Sequence, residues 1–135
     1  MADVEPTIRA FALNGLCDFS EAHNLDTTAL LQVAGLPAAK RYGLEDSIPL
    51  NAFARVLNAA SDALGDPCLG LKLAHSFPMG ASGIIGQLML RAPTVREAMV
   101  SLKDFAPILI NPVYADYGED ENGQGALSWS FHEGF

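Results

Sequence analysis

The sequence predicts an α+β fold, with a bundle of about six helices followed by an antiparallel β-hairpin. Three observations carry that prediction. Apolar residues recur at helical spacing until Pro107, and from there the period shortens to two. Helix starts and stops punctuate the first part at Asp26, Gly35, Gly65 and Thr94-Val95-Arg96-Glu97. Half of the 135 residues are apolar, enough for a single domain of this length to bury a core without disulfides or metals.

Each element follows from local chemistry. Ile8, Phe11, Ala12, Gly15, Leu16, Phe19 and Ala22 share one face of a helix over 6–23, with Pro6 suited to its first turn. Asp26 caps a short helix over 27–34, and Gly35 stops it. A turn-rich link, 35–48, leads to a third helix marked by Phe53, Val56, Leu57, Ala60 and Leu64 and closed by Gly65. Asp66-Pro67 opens a fourth helix that runs to about His75, and Ser76-Phe77-Pro78 breaks it. Ser82 is placed to cap a helix over 83–91, which Pro93 ends. Thr94 to Glu97 is a T-x-x-E capping box. Behind it Val95, Ala98, Met99, Leu102, Phe105 and Leu109 form one face, and Pro107 stops or kinks the helix.

Ile108 to Tyr117 then reads as a strand, Gly118 to Asn122-Gly123 as a polar turn, and Ala126 to His132 as the returning strand. Leu127, Trp129 and Phe131 point to one side, and Ser128, Ser130 and His132 to the other. A two-stranded hairpin is marginal alone, which predicts that the domain continues past Phe135.

Composition excludes several functions. The net charge is −8, and the eight Lys and Arg are scattered, so the chain by itself is not expected to bind nucleic acid or an anionic membrane. No secretory signal and no membrane-length apolar run is present, which predicts a soluble cytoplasmic protein. Cys17 and Cys68 have no metal-type spacing and are expected to be ordinary thiols.

The run GASGIIGQLMLR (80–91) tests three catalytic or phosphate-binding motifs and fails each. It lacks the lysine of a P-loop, the GxGxxG spacing of a dinucleotide site, and the second glycine of a GxSxG nucleophile turn. Glycines at 80, 83 and 86 suit close packing instead. His23, His75 and His132 share no metal-ligand spacing, so no metal is expected. Helices 6–23 and 27–34 imitate a helix-turn-helix, but TTALLQVA (27–34) carries no Arg or Lys to reach phosphates or bases.

Taken together, LLQVAGLP (30–37), SIPLNAFARVLNAASDALGDPCLGLKLA (47–74), GASGIIGQLMLRAPTVREAMVSLKDFAPIL (80–109) and the hairpin YADYGEDENGQGALSWSF (114–131) resemble a known family. It is the N-terminal effector domain, of the arabinose-binding type, of AraC-type transcription regulators. The resemblance spans roughly residues 5–133. It implies a bacterial regulator in which residues 1–135 form a single N-terminal sensing and dimerisation domain. A small-molecule effector would control DNA binding by a C-terminal helix-turn-helix domain beyond position 135, and the protein would be a homodimer. The topology is also similar to haem-based nitric-oxide sensors, which hold haem through a histidine on the long helix before the hairpin. The stretch 95–106 has no histidine, so no haem or other cofactor is expected.

No catalytic residues are expected. A ligand pocket would be mostly apolar with a few polar anchors. The hairpin and the helices beneath it are its expected place, with Asn111, Tyr114, Trp129 and His132 as candidate ligand-binding residues. Two rival readings stay open. One is a protein-interaction module that dimerises without a small ligand. The other is a small hydrolase using Ser82 or Cys68 with a histidine brought close by the fold.

Overall fold

A computed structural model describes residues 5–38 and 41–131 and bears out the α+β fold, with six α-helices and short antiparallel strands among them. The chain divides into two compact units, one over Thr7–Phe77 and one gathering the residues from Pro78 on.

The first unit opens with a strand rather than a helical turn. Strand β1 (Thr7–Arg9) precedes helix α1 (Ala12–Ala22), correcting the helix expected from residue 6. It pairs antiparallel with β2 (Ser47–Pro49), Ile8 opposite Ile48, so the link expected over 35–48 ends in a strand. β-branched Thr7, Ile8 and Ile48 suit an extended backbone, and the distant pairing overrides the helical spacing of the apolar residues.

Helix α2 (Thr27–Val33) starts as expected: the Asp26 carboxylate accepts a hydrogen bond from the Ala29 amide at 3.1 Å. Helix α3 (Leu50–Leu64) ends on left-handed Gly65, where the Asp66 amide donates to the Ser61 carbonyl at 3.0 Å. Helix α4 (Leu69–Ser76) begins two residues later than Pro67, because Asp66 closes a tight turn on the Cys68 amide at 3.0 Å. Leu13, Leu16, Leu30, Leu31, Ile48, Val56 and Leu69 form the core of this unit.

In the second unit a 3₁₀ turn (Met79–Ala81) leads into α5 (Gly83–Arg91). Ser82 stands at the cap position, but its side chain makes no capping bond. The close packing expected at the three glycines is met chiefly at one of them. Gly80 lies in the turn, Gly83 takes a positive φ of 67°, and only Gly86 lies within the helix against a close neighbour. A Cβ there would sit 1.9 Å from the Met79 carbonyl oxygen.

Helix α6 (Val95–Leu109) packs against α5 and starts with Thr94 Oγ1 accepting from the Glu97 amide at 3.2 Å, as the capping box predicts. Pro107 does not stop it: the helix runs on to Leu109. A proline deletes one amide donor, and this one sits in the last turn, where little helix remains to disrupt.

The strand expected over 108–117 is split. Ile108 and Leu109 are helical, β3 is Ile110–Asn111, and after the cis Asn111–Pro112 peptide β4 covers Tyr114–Glu119. Strand β5 (Gly125–Ser130) returns antiparallel, Ala115 opposite Trp129 and Tyr117 opposite Leu127. In the turn the Asp120 carboxylate accepts from the Asn122 and Gln124 amides at 2.9 and 2.8 Å.

Candidate functional site

Alternation along β4 and β5 gives the hairpin two chemically different faces. Ala115, Leu127 and Trp129 share the face that, with α6, encloses an apolar cleft of about 210 Å³. From α6 come Leu102, Lys103, Ala106 and Leu109, one side chain per turn or so, and Ile110, Val113 and Phe131 complete the lining. Among the described residues the lining surface is almost wholly apolar, and Lys103 contributes to it while its ammonium pairs with Asp104. On the opposite face Asp116, Gly118 and Ser128 belong to a shallow, open surface that extends to Asp120 and Gln124 in the turn.

The hairpin is anchored to α6 by a charged clamp. Arg96 Nε donates to Glu119 Oε1 at 2.6 Å, and Nη2 lies 2.5 Å from Oε2, a two-point grip. Tyr117 donates its hydroxyl to the same Glu119 Oε1 at 2.6 Å. The Tyr117 bond, then Arg96, holds the Glu119 carboxyl below its ordinary value, and the bond to Glu119 holds the Tyr117 hydroxyl above its own. Near the cleft, Lys103 Nζ stands 2.9 Å from Asp104 Oδ1. That hydrogen bond and the charges of Asp104 and Asp116 raise the Lys103 ammonium above its usual range.

The candidate residues fall in different places. Trp129 lines the cleft with 57% of its surface still exposed. Tyr114 pairs with Ser130, which puts it on the other face of the hairpin from Trp129. Asn111 is an exposed residue of β3, ahead of Pro112. His132 lies outside the described residues. The structure therefore does not bring Trp129 and Tyr114 together. Lys103, Ala106 and Ala115 had no sequence signal of their own, although Leu102 and Leu109 belong to the helical stripe that marks this side of α6.

The residues of the hydrolase reading occupy the following places. Ser82 precedes α5 in one unit, and Cys68 precedes α4 in the other. His23 stacks on Phe19 with ring centroids 4.0 Å apart, and its Nδ1 lies 2.8 Å from the Phe19 carbonyl oxygen. His75 occupies the last turn of α4. Among the described residues no helix is long and apolar enough to cross a membrane.

The family model for the arabinose-binding domain of AraC transcription regulators, N-terminal, matches residues 25–134. No curated protein matches the chain.

Proposed function

The chain belongs to the arabinose-binding N-terminal domain family of AraC transcription regulators, and from that premise we propose that it senses a small-molecule effector in the cleft between α6 and the hairpin. The observation that supports this reading is the cleft itself: an apolar hollow lined in part by a tryptophan that is still 57% exposed. A ligand there touches α6 and both hairpin strands. It would favour one placement of the hairpin on the helix over others, and that bias is the signal. The output is control of DNA binding by a C-terminal helix-turn-helix domain, in a cytoplasmic bacterial homodimer. No chemistry is performed on the effector.

Trp129 provides the test, because it is the only tryptophan in the chain. A panel of small metabolites is titrated while its fluorescence and the melting temperature are followed. A ligand that changes both, and that changes operator binding by the full-length regulator, supports the reading. Ligands that raise the melting temperature yet never perturb Trp129 would place the effector elsewhere.

One observation favours a second role, self-association without a small ligand. Ile84 and Leu88 lie one turn apart on α5 and are 65% and 38% exposed. Ile84→Glu separates the two readings: a dimer that dissociates while ligand response persists assigns this face to association alone.

A further inference from the structure

We infer that the α6–hairpin cleft selects an uncharged ligand of the alkylbenzene type: a single aromatic ring with a short hydrocarbon chain and no polar head group. The inference rests on the cleft being the effector site. It deepens that reading by assigning the ligand a chemical class.

The chemistry of the lining excludes ions. Its surface is almost wholly apolar, and only Lys103 and Trp129 among its side chains carry a polar atom. The Lys103 ammonium is taken by Asp104 at 2.9 Å, so the hydrocarbon stem is what Lys103 lends to the hollow. A carboxylate, phosphate or ammonium lying here would exchange its water for carbon. The same cost falls on the hydroxyls of a sugar or other polyol, which would be left without partners. A ligand with neither charge nor hydroxyl loses nothing on entry, so an uncharged body complements the uncharged lining.

Size and shape choose among apolar bodies. An apolar hollow of about 150 Å³ walled by leucine, isoleucine and phenylalanine stays dry and binds benzene. This one has about 210 Å³ and walls of the same kind, which gives room for a ring and a short chain. Trp129 and Phe131 favour a ring over an alkane, through offset or edge-to-face contact. Trp129 is still 57% exposed, so a ligand that covers it takes the largest side chain of the lining out of water.

The test titrates the full chain with benzene, toluene, ethylbenzene, 2-phenylethanol, 3-phenylpropanoate and decane by calorimetry, following Trp129 fluorescence and the melting temperature alongside. Affinity is expected to rise about fourfold with each carbon from benzene to ethylbenzene. The alcohol and the acid are expected to bind at least about tenfold more weakly than ethylbenzene. Ala115→Ser adds one hydroxyl to the lining and is expected to weaken ethylbenzene while sparing the alcohol, in a chain whose melting temperature shows it folded. Equal or tighter binding of the alcohol or the acid overturns the inference and leaves the cleft reading standing. So does tighter binding of decane than of ethylbenzene, which makes the occupant a long acyl chain. Trp129 emission that shifts with protein concentration and with no arene assigns the hollow to a second copy of the chain and overturns the inference too. If no arene binds, the inference fails, while another ligand that shifts Trp129 still upholds the cleft. Arenes that bind without perturbing Trp129 remove the cleft reading as well.

Discussion

Arg96, in the first turn of α6, grips Glu119, the last residue of β4, through two separate nitrogen–oxygen pairs at 2.6 and 2.5 Å. The two residues are 23 positions apart, so the clamp fixes how the hairpin lies along the helix. A double-mutant cycle of Arg96→Met and Glu119→Gln should reveal a coupling that depends on pH. Glu119 has a folded-state pKa below its ordinary 4.5, so its contribution is fully present above that value. It is lost as pH falls through the depressed folded value. Melting temperatures of the four proteins should show the coupling near neutral pH and its disappearance in strong acid. Tyr117 works in the opposite direction: its raised pKa makes its contribution complete below 10.0 and lost only at higher, strongly alkaline pH. A coupling that stays constant down to the acid limit would remove Glu119 from the clamp.

Gly86→Ala should destabilise the chain by about 2–3 kcal/mol, because the added Cβ meets backbone and something must move. The nearest atom, the Met79 carbonyl oxygen, would be 1.9 Å away. Gly70, on α4, has nothing within 4 Å of the same construction, and alanine there should be neutral or stabilise by about 0.5 kcal/mol. Urea denaturation of both variants checks the contrast. Equal effects would mean that the Met79 contact relaxes freely.

That contrast also shows where the sequence could be read and where it could not. Starts and stops driven by one or two residues were legible: the Asp26 cap, the left-handed Gly65 and the Thr94 capping bond all formed as local chemistry requires. So did the two faces of β5, since alternation is a property of the strand alone. Thr7–Arg9 was not legible, because its partner Ser47–Pro49 lies about forty residues on and leaves no periodic trace. The glycine spacing at 80, 83 and 86 had one appearance and three local causes. At the cleft, Trp129 could be picked out by type, whereas Lys103 looked like any polar interruption of a helix. Its meaning depends on the hairpin that folds over it.

Asn14 secures the loop ahead of β2. Its amide nitrogen donates to the Tyr42 carbonyl at 3.0 Å, and its oxygen accepts from the Tyr42 amide at 2.9 Å, imitating a strand partner. Tyr42 is buried and sends its hydroxyl to the Pro37 carbonyl at 3.0 Å. Asn14→Ala leaves two backbone groups without partners and should cost about 1–3 kcal/mol. Asn14→Asp keeps only the acceptor and should fall between alanine and wild type. Equal losses for both variants in chemical denaturation would show that the Tyr42 amide bond contributes nothing.

The two cysteines should react at very different rates. Cys68 is exposed, whereas Cys17 is buried and its thiol is raised first by desolvation and then by the charges of Asp18 and Glu21. Thiolate is the reactive form, so both accessibility and protonation protect Cys17. A chromogenic disulfide reagent should titrate one thiol rapidly in the native protein and the second only on unfolding. Two equally fast thiols would mean that the core around α1 opens readily.

Filling the cleft separates ligand binding from stability. Ala106 lies on α6 and faces the hollow, so Ala106→Phe places a ring in space that no other side chain occupies. Overpacking normally costs about 1–3 kcal/mol because neighbours are displaced, but an open hollow accepts the ring and gains apolar contact. The melting temperature should hold or rise slightly. Affinity for any cleft-bound effector should fall more than about tenfold, because the ring takes the volume that the ligand body needs. Calorimetric titration of the variant with whichever compound perturbs Trp129 in the wild-type chain gives the answer. Unchanged affinity in a fully folded Ala106→Phe protein would mean that the compound binds away from α6 and reaches Trp129 only indirectly.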